Sequence, residues 1–535
     1  MQLTLAPPAT QIRSERELLG VALGLGAQRI RGWSADEEAL VSAIPVAAPA
    51  LISHVRAQIE TGEDPLGVAF CSLRSPVERR PEGATYTPLS IVKPMLAWAK
   101  RAGRPDRVVD PGAGSGRFLV NAGRCFPAAR LVAVEVDPLA AVLARAHLAA
   151  AGLGSRSQVL VADYRCADLR DFVGSTLFIG NPPYVRHHLV GQRWKDWLTK
   201  VAAARGLPAS QLSGLHVYFF LATLEHANPG DYGVYVTAAE WLDVNYGALV
   251  RKLFVGGLGG TALHLIEPTA VAFPDAITTA AITCFHVGAQ PKSVRVRRVA
   301  ALTELGALDA GRSIRRERLA TADRWTPLTR GARAIPDGCV ELGEVCRVRR
   351  GQVTGANAFW IAGDHSGDLP QGVLFPTVTR ARELYRAGRC LVDASRLHCV
   401  IDLPEDLDAL EQEDRHKIEI LLRKARAAGV HRGYIARHRK AWWSVGLHEP
   451  APILATYMAR RPPGFVRNLS DARHINIAHG IYPREPMSDR ALAALADYLA
   501  AHTSVADGRT YAGGLTKFEP REMERLLVPS PEFLV

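Results

Sequence analysis

The four residues Asn181-Pro-Pro-Tyr184 have the types and spacing to do chemistry on a planar amine. They follow an apolar run, residues 175–180, that is typical of a buried strand. The two prolines fix φ and remove backbone donors, while the neighbouring carbonyl groups can still accept hydrogen bonds from a ligand. Asn181 adds a side-chain acceptor and Tyr184 a flat ring, so the set can hold both N–H bonds of an exocyclic amine and stack on its ring. An adenine turned out of a duplex presents such a group, whereas a plain Pro-Pro turn is the alternative interpretation.

A glycine-rich turn upstream has the form of half a nucleotide-binding site. Residues 107–116 read as a short buried strand and a turn with glycines at Gly112, Gly114 and Gly116. Glycines permit positive φ and a close approach of backbone to ligand. No Gly-Lys-Ser/Thr follows, which excludes a phosphate-binding loop, and Asp110 with its following proline differs from a dinucleotide fingerprint.

Polar side chains stand at the ends of successive predicted strands. Glu135 ends an apolar run about 20 residues after the glycine turn, the position at which an acid binds ribose hydroxyls in such folds. Asp163 ends the next run. Because the carboxyl ends of parallel strands meet at one edge, we expect Asp110, Glu135, Asp163 and Asn181 to converge on one crevice. Any one of the acids could instead cap a helix.

Together these segments resemble the S-adenosylmethionine-dependent amino-methyltransferases, and among them the adenine-N6 DNA methyltransferases. Asp110-Pro-Gly-Ala-Gly-Ser-Gly116 resembles their motif I, Val134-Glu-Val-Asp137 motif II, Asp163-Tyr164 motif III and Asn181-Pro-Pro-Tyr184 the catalytic motif IV. Glu82-Gly-Ala-Thr-Tyr-Thr-Pro88 resembles motif X. The order X–I–IV before a long C-terminal region is similar to the gamma class, whose Taq-type members serve type II restriction–modification systems. The resemblance covers about residues 79–285.

The resemblance implies which residues bind S-adenosylmethionine. They are Tyr86, Thr87, Pro88, Asp110, Gly112, Gly114, Gly116, Glu135 and Asp163. Residues 86–88 would contact the methionine portion, Glu135 the ribose hydroxyls and Asp163 the adenine amine of the cofactor. Where the family often reads Asp-Leu-Tyr, this chain has Gly214-Leu-His216, so no cofactor role is expected there.

The resemblance also implies a catalytic set. Asn181 and the Pro182 carbonyl would accept hydrogen bonds from N6 of the target adenine, and Tyr184 would stack on the base. Phe273, in a segment that resembles motif VIII, would stack on the opposite face. The reaction would need positioning and electrostatic stabilisation, and no metal.

Composition agrees with a DNA-binding enzyme of the cytoplasm. The chain has 535 residues and a formal charge of +12, which suits a polyanionic partner, although a solvated basic surface explains the charge equally well. No apolar run of membrane-spanning length and no signal peptide is recognised, so no membrane association is expected. Eight cysteines without a Cys-x-x-Cys pair indicate a reducing compartment and no zinc ribbon.

The predicted fold class is α/β, a Rossmann-like twisted-sheet methyltransferase domain with a C-terminal mixed α+β target-recognition domain. The predicted divisions are a helical accessory region (1–75), the catalytic domain (76–300), an Arg-rich connector (301–339) and the DNA target-recognition domain (340–535). A basic insert, residues 186–213, is placed to touch DNA or is a solvated loop. A basic cluster before Trp442 and Trp443 either grips phosphate or precedes core tryptophans.

The sequence therefore predicts a DNA adenine methyltransferase that acts as a monomer on double-stranded DNA and protects host DNA from a cognate restriction endonuclease. Alternatives are an amino-methyltransferase acting on RNA or on a protein glutamine, and a DNA-binding protein with a decayed catalytic domain. The length argues for DNA, and the intact Asn181, Tyr184 and glycine turn argue against decay. A fused nuclease is not expected, because only about 80 residues precede motif X.

Overall fold

The chain divides into two compact units, Met1–Ala332 and Arg333–Val535. The computed structural model describes residues 11–74, 87–169, 172–267, 279–329, 335–511 and 515–534. Within these ranges, no helix is long and apolar enough to span a membrane.

A nine-stranded mixed sheet forms the centre of the first unit, in the order β3-β2-β1-β4-β5-β7-β6-β8-β9. Its strands are β1 (Arg107–Pro111), β2 (Arg130–Glu135), β3 (Ser157–Val161), β4 (Thr176–Gly180), β5 (Tyr232–Ala238), β6 (Gly260–Ile266), β7 (Ala280–His286), β8 (Ser293–Val299) and β9 (Arg312–Arg315). Strands β1 to β5 are mutually parallel, and β7 is antiparallel to both β5 and β6. Because β1 lies between β2 and β4, the chain reverses its direction of travel across the sheet there, which opens a crevice at the carboxyl ends.

Helices surround this sheet and bury its two faces. They are α1 (Glu15–Leu25), α2 (Ala35–Val41), α3 (Pro49–Thr61), α4 (Pro65–Leu73), α5 (Leu89–Ala102), α6 (Arg117–Cys125), α7 (Pro138–Ala150), α8 (Gln192–Ala204), α9 (Leu215–His226), α10 (Ala248–Val255), α11 (Arg316–Thr321) and α12 (Thr326–Thr329). Alternate residues of the strands enter separate apolar cores: Val109 and Phe178 enter one, and Val108 and Ile179 enter the other. This is the α/β methyltransferase-type sheet that the sequence predicts.

Residues at the ends of the N-terminal helices explain where those helices begin and end. Ser14 and Ser34 accept hydrogen bonds from the first turns of α1 and α2, and Asp64 does the same for α4. Gly26 and Gly62 end α1 and α3 in the left-handed conformation that favours glycine. The predicted helical region thus consists of short, well-capped helices.

These helices are part of the first unit's core, because they pack on α7. Leu18, Val21 and Val55 share an apolar cluster with Val142 and Ala146 of α7. The contact surrounds a buried ion pair, as the side chains of Arg145 and Glu37 are both 0% exposed.

Arg145 also binds the backbone of the connection between α1 and α2 and the backbone of β3. Its guanidinium donates to the carbonyl oxygens of Ile30 at 2.9 Å, Gly32 at 2.6 Å and Val159 at 2.9 Å, as well as to Glu37. Because this buried guanidinium donates to several backbone carbonyl groups and to a carboxylate, it joins the α1–α2 connection, α2 and β3 to α7.

The Arg-rich segment expected to be a connector is instead part of the sheet and its core. Residues Arg312–Arg315 form β9, which pairs antiparallel with β8. Leu319 and Trp325 are then buried in the same apolar core as β4. An edge strand whose outward side chains are arginines looks like a solvated linker in sequence, and only its pairing partner distinguishes the two.

The second unit is a mixed α+β assembly, as predicted. Its strands are β10 (Cys339–Glu341), β11 (Cys346–Arg350), β12 (Leu374–Val378), β13 (Cys390–Leu391), β14 (His398–Ile401), β15 (Ile453–Thr456), β16 (Met458–Ala459), β17 (Phe465–Asn468), β18 (Arg473–His474), β19 (Ala478–Pro483), β20 (Arg509–Tyr511), β21 (Leu515–Lys517) and β22 (Leu527–Pro529). Its helices are α13 (Leu342–Val345), α14 (Asn357–Trp360), α15 (Ala381–Ala387), α16 (Gln412–Ala427), α17 (Tyr434–Arg437), α18 (Asp489–His502) and α19 (Pro520–Met523). The largest sheet has the order β11-β19-β15-β17-β13, and α18 packs on it.

The two tryptophans of the basic and aromatic cluster pack against a core. Trp442 and Trp443 are partly buried against the apolar cluster around Trp360, and the Trp443 indole donates to the carbonyl oxygen of Pro404 at 3.0 Å. Phosphate binding by the basic residues of the cluster stays a prediction.

We predict that Arg145→Leu lowers the free energy of unfolding by about 3–5 kcal/mol, because it leaves Glu37 as an unpaired buried charge. Chemical denaturation of the two proteins measures the difference. The exposed Arg29, on the adjoining connection, provides the matched control, and Arg29→Leu should stay within about 0.5 kcal/mol of the wild type. Equal stability of Arg145→Leu and wild type would show that the ion pair does not hold these helices.

Candidate active site

The carboxyl ends of β1, β2, β3 and β4 meet around one cavity of about 220 Å³. Six residues predicted from the sequence line it: Thr87, Gly112, Gly114, Glu135, Asp163 and Asn181. Apolar side chains, among them Phe118 and Phe219, complete its wall. The structure therefore brings together segments that are spread over about 90 residues of sequence.

The glycine turn after β1 needs its glycines for two reasons. Gly112, Gly114 and Gly116 have φ values of 72°, 55° and 83°, in the left-handed region that side chains disfavour. At Gly116, a Cβ would also lie 3.2 Å from the Cα of Ala144, so the turn packs closely on α7. At Gly112, a Cβ would lie 3.4 Å from Cδ of Pro183, which brings the turn against the Asn-Pro-Pro-Tyr segment.

Backbone donors orient the carboxylate of Glu135. One oxygen accepts from the Gly114 N–H at 2.8 Å, and the other accepts from Val136 at 2.8 Å and Asp137 at 3.0 Å. Burial raises the pKa of Glu135, although these three N–H groups oppose the shift. The carboxylate thus joins the end of β2 to the glycine turn and borders the cavity.

Asp110 is buried without such donors. It is 1% exposed, and neither of its carboxyl oxygens has a hydrogen-bond partner among the described residues. Burial and the nearby charge of Glu135 raise its pKa well above the usual range. A Cβ at Gly180 would lie 2.6 Å from Oδ1 of Asp110, so the carboxyl group uses the space that the glycine leaves at the end of β4.

Asp163 is paired with a residue that the sequence analysis did not single out. Its carboxylate accepts from the backbone N–H of Arg165 at 3.0 Å and from Nε of Arg165 at 2.8 Å. The Arg165 guanidinium lies 3.6 Å from the ring centre of Trp194, in the basic insert. That insert contains α8, whose Leu198 is buried, so much of it is ordered helix.

The Asn181 amide and the Tyr184 ring lie beyond the end of β4. Asn181 Nδ2 donates to Oγ1 of Thr87 at 3.0 Å, and the Tyr184 hydroxyl donates to the Val236 carbonyl at 3.4 Å. Burial raises the pKa of Tyr184, so the phenol stays protonated. His216 meets this ring edge-on at 6.5 Å, and burial lowers its pKa to about 4, which keeps the imidazole neutral.

The remaining predicted residues fall into two groups. Pro88 precedes the first residue of α5, and Pro182 is buried beside Asn181. Tyr86 and Phe273 lie outside the described residues. Their predicted contacts with the cofactor and with the base stay predictions.

Further residues at the site are not indicated by the sequence patterns. Phe70 and Arg117 line the cavity, and Asp64 accepts a hydrogen bond from Nε of Arg117 at 2.9 Å. Asp64 followed by proline indicates a helix start, but this pattern says nothing about a contact 53 residues away. Acids at the ends of β2 and β3, together with an aromatic wall, suit a positively charged ligand that carries hydroxyl groups and a flat ring.

Comparisons with known proteins agree with this geometry. The chain is 50% identical over 526 residues to the type II methyltransferase M.XamI of Xanthomonas campestris pv. amaranthicola, covering 98% of this chain and 99% of that protein. It is 20% identical over 460 residues to the type II methyltransferase M.AccI of Acinetobacter calcoaceticus, covering 82% and 84% of the two chains. Residues 333–534 match the family described as the C-terminal domain of the type II methyltransferase M.Eco57I.

A solved structure supports the fold. The type IIL restriction-modification enzyme MmeI, in complex with DNA, has a TM-score of 0.51 at 13% identity, covering 90% of this chain and 75% of that chain. At this identity the likeness concerns the fold alone, and it agrees with an α/β methyltransferase sheet followed by a C-terminal domain. From its identity to M.XamI over nearly its whole length, the chain belongs to the type II methyltransferases, the DNA-methylating enzymes of restriction–modification systems.

Proposed function

We propose that this enzyme transfers a methyl group from S-adenosylmethionine to N6 of an adenine flipped out of double-stranded DNA, and thereby protects host DNA from a cognate restriction endonuclease. The observation that carries the proposal is that Asn181 borders the same cavity as Glu135 and the glycine turn. An acceptor amide for the target amine and the proposed cofactor site are therefore in direct contact. The enzyme would act as a monomer on its DNA.

The donor set around the cavity fits S-adenosylmethionine. Asp110 is 1% exposed and does not line the cavity, so it would not contact the cofactor directly; its buried carboxyl group would favour a positive charge bound nearby. Glu135 would accept from the ribose hydroxyls, and Asp163 from the adenine amine, beside the Arg165 that already holds it. When bound, the cofactor supplies a methyl group activated on a positively charged sulfur. Phe219, stacked on Tyr164 at 5.2 Å, supplies an apolar wall for a flat ring.

The residues of motif IV would act on the target amine. Its lone pair is delocalised into the adenine ring, so the amine is a poor nucleophile. If the Asn181 side-chain oxygen and the Pro182 carbonyl accept its two hydrogens, a tetrahedral nitrogen with a directed lone pair is favoured. Tyr184, and Phe273 on the other face, would stack on the base and stabilise the positive charge that develops. The excess proton then leaves to water.

We further propose that the second unit reads the DNA sequence. The family match over residues 333–534 supports this assignment, because the match is confined to a unit separate from the cavity. Its strand β11 carries exposed Arg347 and Arg349, and the Arg349 guanidinium lies 5.5 Å from the ring centre of Tyr482 on β19. Such arginines can bind phosphate or the edge of a guanine.

We predict that Asn181→Ala abolishes methyl transfer while cofactor affinity changes less than about threefold, because the amide acts on the target and not on the cofactor. The test incubates protein, unmethylated bacterial genomic DNA and labelled S-adenosylmethionine, then separates the nucleosides after digestion. Wild type should label N6-methyldeoxyadenosine. Tyr184→Phe should keep most of the activity because the ring remains, whereas Tyr184→Ala should lose it.

Other outcomes would correct the proposal in different ways. Label in N4-methylcytosine would support methyl transfer to a base amine of DNA but would show that the target base is cytosine and not adenine. No label in DNA, with the cofactor bound, would favour an RNA or protein substrate, and normal turnover by Asn181→Ala would refute the catalytic assignment.

We predict that Asp110→Asn makes the cofactor-free protein more stable at neutral pH and weakens cofactor binding. The folded-state pKa of Asp110 is raised, so its contribution to stability is present below about pH 4 and is lost as pH rises towards the folded pKa. The variant should therefore be more stable than wild type at pH 7 and match wild type at low pH. Denaturation at several pH values and calorimetry with S-adenosylmethionine measure the two effects. A variant that is less stable at pH 7, or that binds the cofactor normally, would contradict this role.

A further inference from the structure

We infer that Thr87 is a positioning residue that orients the acceptor amide of Asn181, and that Arg117 and Asp64 hold Thr87 in place. The inference rests on the proposed role of Asn181 and extends it. It gives the N-terminal helices a part in methyl transfer, although they contain none of the proposed catalytic residues.

A series of contacts runs from Asn181 through Thr87 and Arg117 to Asp64, and its first contact joins Thr87 to Asn181. The amide nitrogen Nδ2 donates to Oγ1 of Thr87 at 3.0 Å, and Thr87 is only 3% exposed. The nitrogen and oxygen of a planar amide lie on diverging branches, so a partner for the nitrogen determines the side on which the oxygen lies. If the Asn181 amide were reversed, its N–H groups would face the target amine, which is itself a donor. The amide oxygen would then point away, and the amine would find no acceptor on this side chain.

The second interaction holds the backbone of Thr87. Arg117 Nη1 donates to the Thr87 carbonyl oxygen at 2.8 Å, while Nε of the same guanidinium donates to Oδ2 of Asp64 at 2.9 Å. The two side chains are 17% and 6% exposed, so the pair is largely shielded from water. Because a guanidinium is planar and rigid, this fork sets the position of Thr87 relative to Asp64.

Asp64 is itself held by the glycine turn and by its own helix. It accepts from the hydroxyl of Ser115 at 2.7 Å and from the N–H of Gly67 at 2.7 Å, at the start of α4. Ser115 belongs to the turn that lines the cavity. Asp64 therefore links the turn that lines the cavity to the residue that orients Asn181.

The family resemblance suggests a different role for Thr87, binding of the methionine portion of the cofactor. The two roles predict different kinetics. If Thr87 binds the cofactor, removing its hydroxyl raises the dissociation constant for S-adenosylmethionine. If Thr87 positions Asn181, removing the hydroxyl lowers the rate of the methyl-transfer step instead.

The decisive variant is Thr87→Val, which keeps the shape of the side chain and removes its hydroxyl. We expect the single-turnover rate of DNA methylation to fall about 10- to 100-fold, because small displacements of a reacting group have effects of this size. The dissociation constant for S-adenosylmethionine, from calorimetry, should stay within about twofold. Thr87→Ser, which restores the hydroxyl, should restore the rate.

The matched control is Thr61→Val, which removes an exposed hydroxyl that donates to the Gln58 carbonyl at 2.8 Å in α3. It should methylate DNA at the wild-type rate. Thermal unfolding of each variant shows whether a reduced rate reflects a protein that no longer folds.

A second variant tests the connection to Asp64. Arg117→Lys keeps the charge but cannot donate to Asp64 and to the Thr87 carbonyl from one rigid fork. If both residues act through Asn181, the double variant Thr87→Val with Arg117→Lys should be about as slow as Thr87→Val alone, since the effects are not additive. If the rate decreases of the two single variants multiply in the double variant, the proposed link between Arg117 and Thr87 is wrong.

The outcomes separate this inference from the proposed function. An active wild type together with a Thr87→Val rate like that of wild type would overturn the inference alone. A rate decrease in Thr87→Val that is explained wholly by weaker cofactor binding would do the same. A wild-type enzyme that labels no adenine would overturn the role of Asn181 and the inference with it.

Discussion

The position of Asn181 depends on how β4 pairs with β1, and the rest of the site depends on that position. Arg107, Val108 and Val109 of β1 pair in parallel with Thr176, Leu177 and Phe178 of β4. A shift of one residue would exchange the two faces of β4 and move Phe178 out of its core. Burial on both faces therefore holds the register. The same register brings the end of β4 beside Asp110 and the glycine turn.

The three acids at neighbouring strand ends differ in the hydrogen-bond partners of their carboxyl groups. Glu135 accepts from three backbone N–H groups, and Asp163 is paired with Arg165. Asp110 alone lacks a partner among the described residues. The first two arrangements hold a carboxylate in a fixed orientation at the wall of the cavity, whereas Asp110 is buried and does not line the cavity. Among these three acids, the cavity therefore presents only oriented carboxylates to a ligand.

The sequence predicts the local part of the site well and its long-range part poorly. Apolar runs, the glycine turn and the acids at strand ends are patterns within a few residues. The structure places the glycine turn, Glu135 and Asp163 around one cavity, whereas Asp110 is buried and does not line it. The hydrogen bond between Thr87 and Asn181 spans 94 residues, and no local pattern indicates it. The same holds for Asp64, whose sequence indicates only a helix start. At β9, four residues with two outward arginines resemble a linker, and the burial of Leu319 and Trp325 depends on packing that the sequence does not reveal.

The space shared by Asp110 and Gly180 restricts which substitutions these two positions can accept. While residue 110 carries its carboxyl group, any side chain at position 180 meets it, because a Cβ there would lie 2.6 Å from Oδ1. A substitution at position 180 must therefore either displace the Asp110 carboxyl group or follow a change at position 110. The two positions are coupled, so the effect of a substitution at one depends on which residue occupies the other.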